Sequence, residues 1–235
     1  MNKKKILVIG LAVALIAMVS FGTLAYFTAN DQTVNTFTVG DVNIRQDEHQ
    51  HDDNGQLVPF EQDQTLLPVA DPQNPAADEN YVEKIVTVTS TGKNPAYVRT
   101  HIAVPTALLD ILVLDLSDST NWQAVSYAAQ PTQTVNGVEY TIFSYTYTQA
   151  LDKDATTDVL LEGVYLKAET DVQENASGVR QFCLADGNGG WTFYDFDLNE
   201  KVQVLVATQG VQAQGFADAD SALNAAFSDV PDFAA

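Results

Sequence analysis

Tyr97-Val98-Arg99-Thr100-His101-Ile102-Ala103-Val104-Pro105 is the stretch on which the fold reading turns. Tyr97, Arg99, His101 and Ala103 alternate with Val98, Thr100, Ile102 and Val104. A period of two sets the groups on opposite faces of a β-strand with one buried face. Pro105 has no N–H to offer a ladder, so the strand is expected to end there.

The neighbouring sequence repeats this chemistry. Val138 to Thr148 is dense in β-branched and aromatic residues, with Phe143, Tyr145 and Tyr147 on one face and Tyr140 and Ile142 on the other. Asn136-Gly137 just before it is a hairpin signal, because both residues tolerate the positive φ that a tight turn demands. Val159 to Leu166, Trp191 to Phe196 and Val202 to Ala207 read as further strands, with a tight turn at Asp186-Gly187-Asn188-Gly189-Gly190 between Phe182 and Trp191. Short strands separated by turn chemistry predict a mainly β fold, an antiparallel β-sandwich. One or two short helices are expected on it. Pro105 to Leu116 carries a stripe of Leu108, Leu109, Leu112 and Leu116. Near the C-terminus, Asp218 or Asp220 can cap a helix in which Ala219, Leu223, Ala226 and Phe227 recur at helical spacing.

Residues 46–80 stand apart. They hold nine acids, no lysine or arginine, and Pro59, Pro68, Pro72 and Pro75, a composition that predicts a long surface loop. Leu57-Val58-Pro59-Phe60 and Leu66-Leu67-Pro68-Val69 are short apolar clips that would pin it down.

At the N-terminus, Lys3 to Lys5 precede an apolar run from Ile6 to Val19, and Thr23 and Ala25 sit two apart behind it. This is the pattern of a secretory signal peptide over residues 1–25, shorter than the ~20 apolar residues of a comfortable membrane span. Signal peptidase would cut between Ala25 and Tyr26, leaving residues 26–235 as a single β-sandwich domain without stable membrane insertion. Removing the three leader lysines leaves eight basic residues against 31 acidic ones. Such a surface repels nucleic acid and anionic lipid and keeps the chain soluble outside the cell. Cys183 is the only cysteine, so no internal disulfide forms even in an oxidising compartment; a buried small hydrophobe is the expected role.

Gly22-Thr23-Leu24-Ala25-Tyr26-Phe27, Asn35-Thr36-Phe37-Thr38-Val39-Gly40-Asp41-Val42-Asn43-Ile44, Thr91-Gly92-Lys93-Asn94-Pro95-Ala96-Tyr97-Val98-Arg99 and Val211-Gln212-Ala213-Gln214-Gly215-Phe216 together resemble the SipW-dependent secreted proteins, the TasA/camelysin-like biofilm matrix family. The resemblance implies a jelly roll, processing by a dedicated signal peptidase, and a place in the extracellular matrix or on the cell surface of a Gram-positive-type bacterium. Fibre-forming members imply self-assembly or pairing with a related matrix subunit. The camelysin side implies a secreted metallopeptidase as the alternative, although no catalytic residue can be carried over onto this chain.

Catalytic signatures are sparse. His-Glu-x-x-His, Gly-x-Ser-x-Gly and phosphate-cradling loops are all absent from the sequence. His49-x-His51, flanked by Asp47, Glu48, Asp52 and Asp53, has ligand-like residue types, and alternate residues of an extended segment point the same way. It reads as a solvated acidic face, with a divalent metal as the alternative and no cofactor otherwise expected. Asp195-x-Asp197-x-Asn199 opens like a calcium loop, yet Glu200 and Val206 stand where glycine and glutamate are needed. Trp191, Phe193 and Tyr194 read as packing residues before they read as a carbohydrate platform.

The leading reading is a secreted structural subunit. Tyr26, Phe27 and Val34 would anchor a donor strand, freed by processing, on the sheet of a neighbour. A monomeric extracellular module whose acidic loop binds a cationic partner is a further alternative.

Overall fold

The computed structural model describes residues 23–25, 41–61, 64–196, 198 and 202–234. In chain order its strands are β1 (Thr23–Ala25), β2 (Ile44–His51), β3 (Leu57–Pro59), β4 (Val82–Ser90), β5 (Ala96–Pro105), β6 (Leu112–Leu116), β7 (Trp122–Ala124), β8 (Thr132–Val135), β9 (Val138–Tyr147), β10 (Leu161–Leu166), β11 (Asp171–Glu174), β12 (Arg180–Ala185), β13 (Trp191–Phe193) and β14 (Leu205–Gln212), followed by helix α1 (Ala219–Ala226). The chain is mainly β, and every ladder between these strands is antiparallel.

One six-stranded sheet runs β1-β14-β5-β9-β7, with β8 beside β7 on the same flank of β9. A five-stranded sheet runs β3-β2-β4-β10-β6, and β11-β12-β13 form a third. Alternation decides what each face meets. Ile102 and Val104 of β5 and Val206 of β14 pack with Val82 and Val86 of β4 and Leu161 and Val164 of β10, so the two larger sheets share the main core. Phe182 of β12 joins it from the third sheet.

The opposite face of the six-stranded sheet is also covered. Ala103, Tyr140, Ile142, Leu205 and Ala207 pack around Phe233, which is fully buried near the end of the chain. Gln133 clamps that tail, its side-chain amide donating to the Pro231 carbonyl at 2.8 Å and accepting from the Phe233 N–H at 3.0 Å. α1 lies farther along the same face, packing Ala219, Ala222 and Leu223 with Phe227 against Val211 and Tyr97. Its N-cap is Asp218, which accepts the Ser221 N–H at 2.7 Å while the Ser221 hydroxyl accepts the Asp218 N–H. Where one buried face was expected, β5 is covered on both sides, by the facing sheet and by the tail and α1, and almost every residue from Ala96 to Pro105 is buried.

The turn expectations hold. Asn136 and Gly137 both adopt positive φ, 50° and 88°, between the paired ends of β8 and β9. Asp186 accepts the N–H groups of Asn188 and Gly190 at 2.7 and 2.9 Å, closing the turn between β12 and β13.

Two expectations are corrected. Residues 105–116 do not form a helix: a 3-10 turn at Thr106–Leu108 leads into β6, which pairs along β10 from Leu112 to Leu116. A leucine stripe suits either period, and the open flank of β10 decides for the strand. Nor are residues 46–80 one loop. Gln46 to His51 belong to β2, and β2 and β3 form a hairpin in which His49 faces Pro59 and His51 faces Leu57. The remainder is held by Phe60 and Val69, both buried, while Leu57 and Leu67 of the same apolar clips are exposed. Strand limits also shift: the final strand is Leu205–Gln212, and the strand at Trp191 stops at Phe193.

Candidate functional site

The predicted processing site lies at a sheet edge. β1 pairs antiparallel with β14, Thr23 opposite Thr208, Leu24 opposite Ala207 and Ala25 opposite Val206. On its other flank β14 pairs along its whole length with β5, from Leu205 opposite Ala103 to Gln212 opposite Ala96. β14 is also fixed from the facing sheet. Gln46 of β2 donates to the Val206 carbonyl at 3.3 Å and accepts from the Thr208 hydroxyl at 2.8 Å, and Ile44 packs so closely on Gly210 that an added Cβ would stand 3.0 Å from it. Tyr26, Phe27 and Val34, and the apolar run Ile6 to Val19, lie outside the described residues. Among the described residues no helix is long and apolar enough to cross a membrane.

The histidine pair lies on β2 with its two members on one face. His51 is committed to Glu83 of β4, Nδ1 lying 2.8 Å from its carboxylate, whereas His49 sits opposite Ile85. His51 and Glu83 border a cleft of about 490 Å³ with Asp78, Tyr81 and Glu162. The Tyr81 hydroxyl donates to Asp115 at 2.8 Å, and burial together with that carboxylate pushes the phenol well above its ordinary pKa. Gly163 has no side chain because a Cβ there would run into the Tyr81 ring. Among the described residues no three His, Cys, Asp or Glu side chains converge as a metal-binding group.

Sequence reading missed two buried polar clusters. The first lies between the larger sheets, where β2 turns Gln46 and Glu48 inward beside Lys84 of β4. Lys84 is 0% exposed, its ammonium in contact with a Glu48 carboxylate oxygen and 4.4 Å from the centre of the Phe60 ring. Gln46 donates to the other Glu48 oxygen at 3.0 Å, and the Thr208 hydroxyl lies 2.9 Å from that of Thr100. Desolvation lowers the Lys84 pKa and the Glu48 charge works against it. The mixed polar and apolar alternation of Val82 to Ser90 was the available signal for β4.

The second cluster lies on the other face of the six-stranded sheet. The His101 ring reaches Ser144 through Nδ1 at 2.7 Å and Gln209 through Nε2 at 3.0 Å. Gln209 donates its own amide to the Asp229 carbonyl at 3.2 Å, so its oxygen faces the ring and His101 Nε2 is the donor. Nδ1 then accepts from the Ser144 hydroxyl, which in turn accepts from Tyr127 at 2.9 Å. Burial, reinforced by nearby Arg99, pushes His101 down to about 3. Arg99 itself joins the sheet to α1, donating to Thr146, Asn224 and Asp220, each at 3.0 Å. The expected grouping of His101 with Arg99 on one strand face therefore holds, with both under α1 and the tail.

Trp191 is 41% exposed on the third sheet, whereas Tyr194 packs against the main core. Cys183 is buried, as expected, and burial raises its thiol pKa. Searches of protein-family models, of curated proteins and of solved structures each returned no match.

Proposed function

We propose that the chain is a secreted structural subunit of an extracellular matrix or surface fibre, made with a leader over residues 1–25 on a jelly-roll-like sandwich and readied for assembly by a cut between Ala25 and Tyr26. The observation that supports this reading most is the pairing of Thr23–Ala25 with Val206–Thr208. A cut behind Ala25 separates β1 from the chain that follows it. Three residues held by main-chain bonds are too few to stay docked on their own.

Release of β1 uncovers one flank of β14, and a row of unpaired N–H and C=O groups is a template for another strand. The same cut makes Tyr26 to Asn35 an N-terminal arm. Tyr26, Phe27 and Val34 supply side chains for pockets while the main chain supplies affinity, so the arm of one subunit completes the β14 edge of the next. The leader would block, in its own chain, the position a neighbour takes. The likeness of Gly22 to Phe27 to the SipW-dependent TasA/camelysin-like leaders supports the same direction.

Electron microscopy and light scattering of chains beginning at Tyr26 and at Thr36 test the proposal. Fibres from the first and monomers from the second are expected. Identical behaviour of the two across a wide concentration range would sink the donor-strand mechanism.

A further inference from the structure

The geometry points to a covalent tie: we propose that Lys84 and Glu48 condense into an intramolecular side-chain amide joining β4 to β2. A lysine with no exposed surface is among the least expected groups in an interior, and Lys84 is one of the largest fully buried side chains among the described residues. Val82 and Val86 flank it on the inward face of β4, and Phe60 lies over its ammonium. Its partner, Glu48, has a side chain only 10% exposed.

Attack requires the neutral amine, and burial lowers the Lys84 pKa toward that form; the proton that the nitrogen gives up for the reaction passes to the Glu48 oxygen it touches. The Lys84 nitrogen then bears a lone pair in contact with the Glu48 carboxyl group, a juxtaposition that makes the condensation internal instead of bimolecular. One Glu48 oxygen accepts the Gln46 amide at 3.0 Å and is the one on which negative charge develops during attack. The other touches the Lys84 nitrogen and is the one that leaves. Nitrogen bonds to carbon, the departing hydroxyl takes a proton from the attacking nitrogen, and one water is lost per amide formed. No oxidant or co-reactant enters. The walls that exclude water on the Lys84 side disfavour the return reaction.

Gln46 is held for that task. Its amide nitrogen faces two acceptors, the Glu48 carboxylate and the Val206 carbonyl, while its oxygen accepts from Thr208. The tie would close residues 49–83, the acidic segment, into a covalent loop. A chain with a single cysteine gains in this way the cross-link that an extracellular domain ordinarily draws from disulfides.

Intact mass spectrometry of the denatured chain beginning at Tyr26, followed by peptide mapping, decides the matter. The expected mass is one water below that of the sequence, with Glu48 and Lys84 recovered in one branched peptide. Lys84→Met and Glu48→Leu are expected at their full sequence masses. Full mass for the parent protein after prolonged incubation in the folded state overturns the proposal without reliance on any variant. A deficit of one ammonia, with Lys84 joined to Gln46, overturns it equally. Neither outcome depends on whether the protein forms fibres.

Discussion

Two buried polar clusters lie on opposite faces of the six-stranded sheet, and they solve burial differently. Under α1 and the tail, His101 meets only neutral partners, Ser144 and Gln209, and is held uncharged. Between the sheets, Lys84 meets a carboxylate. A neutral partner lets a buried base discard its proton and become an ordinary hydrogen-bonding group. A carboxylate partner keeps the proton in play, and the pair remains chemically poised. Burial is nearly complete for both bases, so the partner decides which cluster is structural and which is reactive.

The sharpest way to break this comparison is at Glu48. Glu48→Leu strands the Lys84 amine, which is expected to cost about 3–5 kcal/mol. Loss of the tie around residues 49–83 costs about 4 kcal/mol more in chain entropy. The double variant Lys84→Met with Glu48→Leu should recover the first loss and not the second. Urea unfolding measures both, and equal stability of the single and double variants would show that no charge was stranded.

His101 gives the next largest effect, and its sign follows from a folded pKa of about 3 against an ordinary 6.5. Between those values the unfolded chain takes up a proton that the folded one refuses. Stability from this group is complete above pH 6.5 and falls by about 1.4 kcal/mol for each unit of acidification, down to the folded value. Thermal melting of the parent and of His101→Gln across that range should give curves that diverge as pH falls, the parent being the steeper. Parallel curves would mean that His101 is charged in the fold.

Why one of these faces was legible in the sequence and the other was not is a matter of range. The alternation of Tyr97 to Val104 placed His101 and Arg99 together, and Asn136-Gly137 marked its hairpin, because both signals are local. Gln46 and Glu48 read as part of a solvated acidic loop since acids without nearby bases normally stay in water. Their partners, Lys84 and Thr208, are 36 and 162 residues away in the chain. The leucines of 105–116 failed for a related reason: only the open flank of β10 tells a strand from a helix there. His49 and His51 were correctly placed on one side of an extended segment, but no neighbouring sequence signalled that Glu83 would engage His51.

Arg99 separates the outer face into sheet and lid. Its guanidinium makes three charge-assisted bonds, to Thr146 on β9 and to Asp220 and Asn224 on α1. Arg99→Met keeps most of the packing and removes all three, for an expected loss of about 2 kcal/mol. Hydrogen exchange should locate the loss in α1, with β9 and β14 retaining their protection. Uniform loss across the sheet would show that α1 does not open as a separate unit.

The smallest effect tests whether that lid keeps His101 dry. Asp218→Ala removes the acceptor for the Ser221 N–H and half of the capping box, at a cost of about 1 kcal/mol. Fraying begins at the first turn of α1, where Arg99 still holds Asp220, two residues from the cap. The hydrogen bonds of His101 come from β9 and β14, and Gln209 is oriented by Asp229 beyond the helix. The melting temperature should therefore drop by a few degrees, while the slope of stability against pH from about 5 to 6.5, above the range in which the capping carboxylate itself titrates, stays that of the parent. A shallower slope in Asp218→Ala would assign the dryness of the cluster to α1, and the neutrality of His101 would then be a property of the lid more than of its partners.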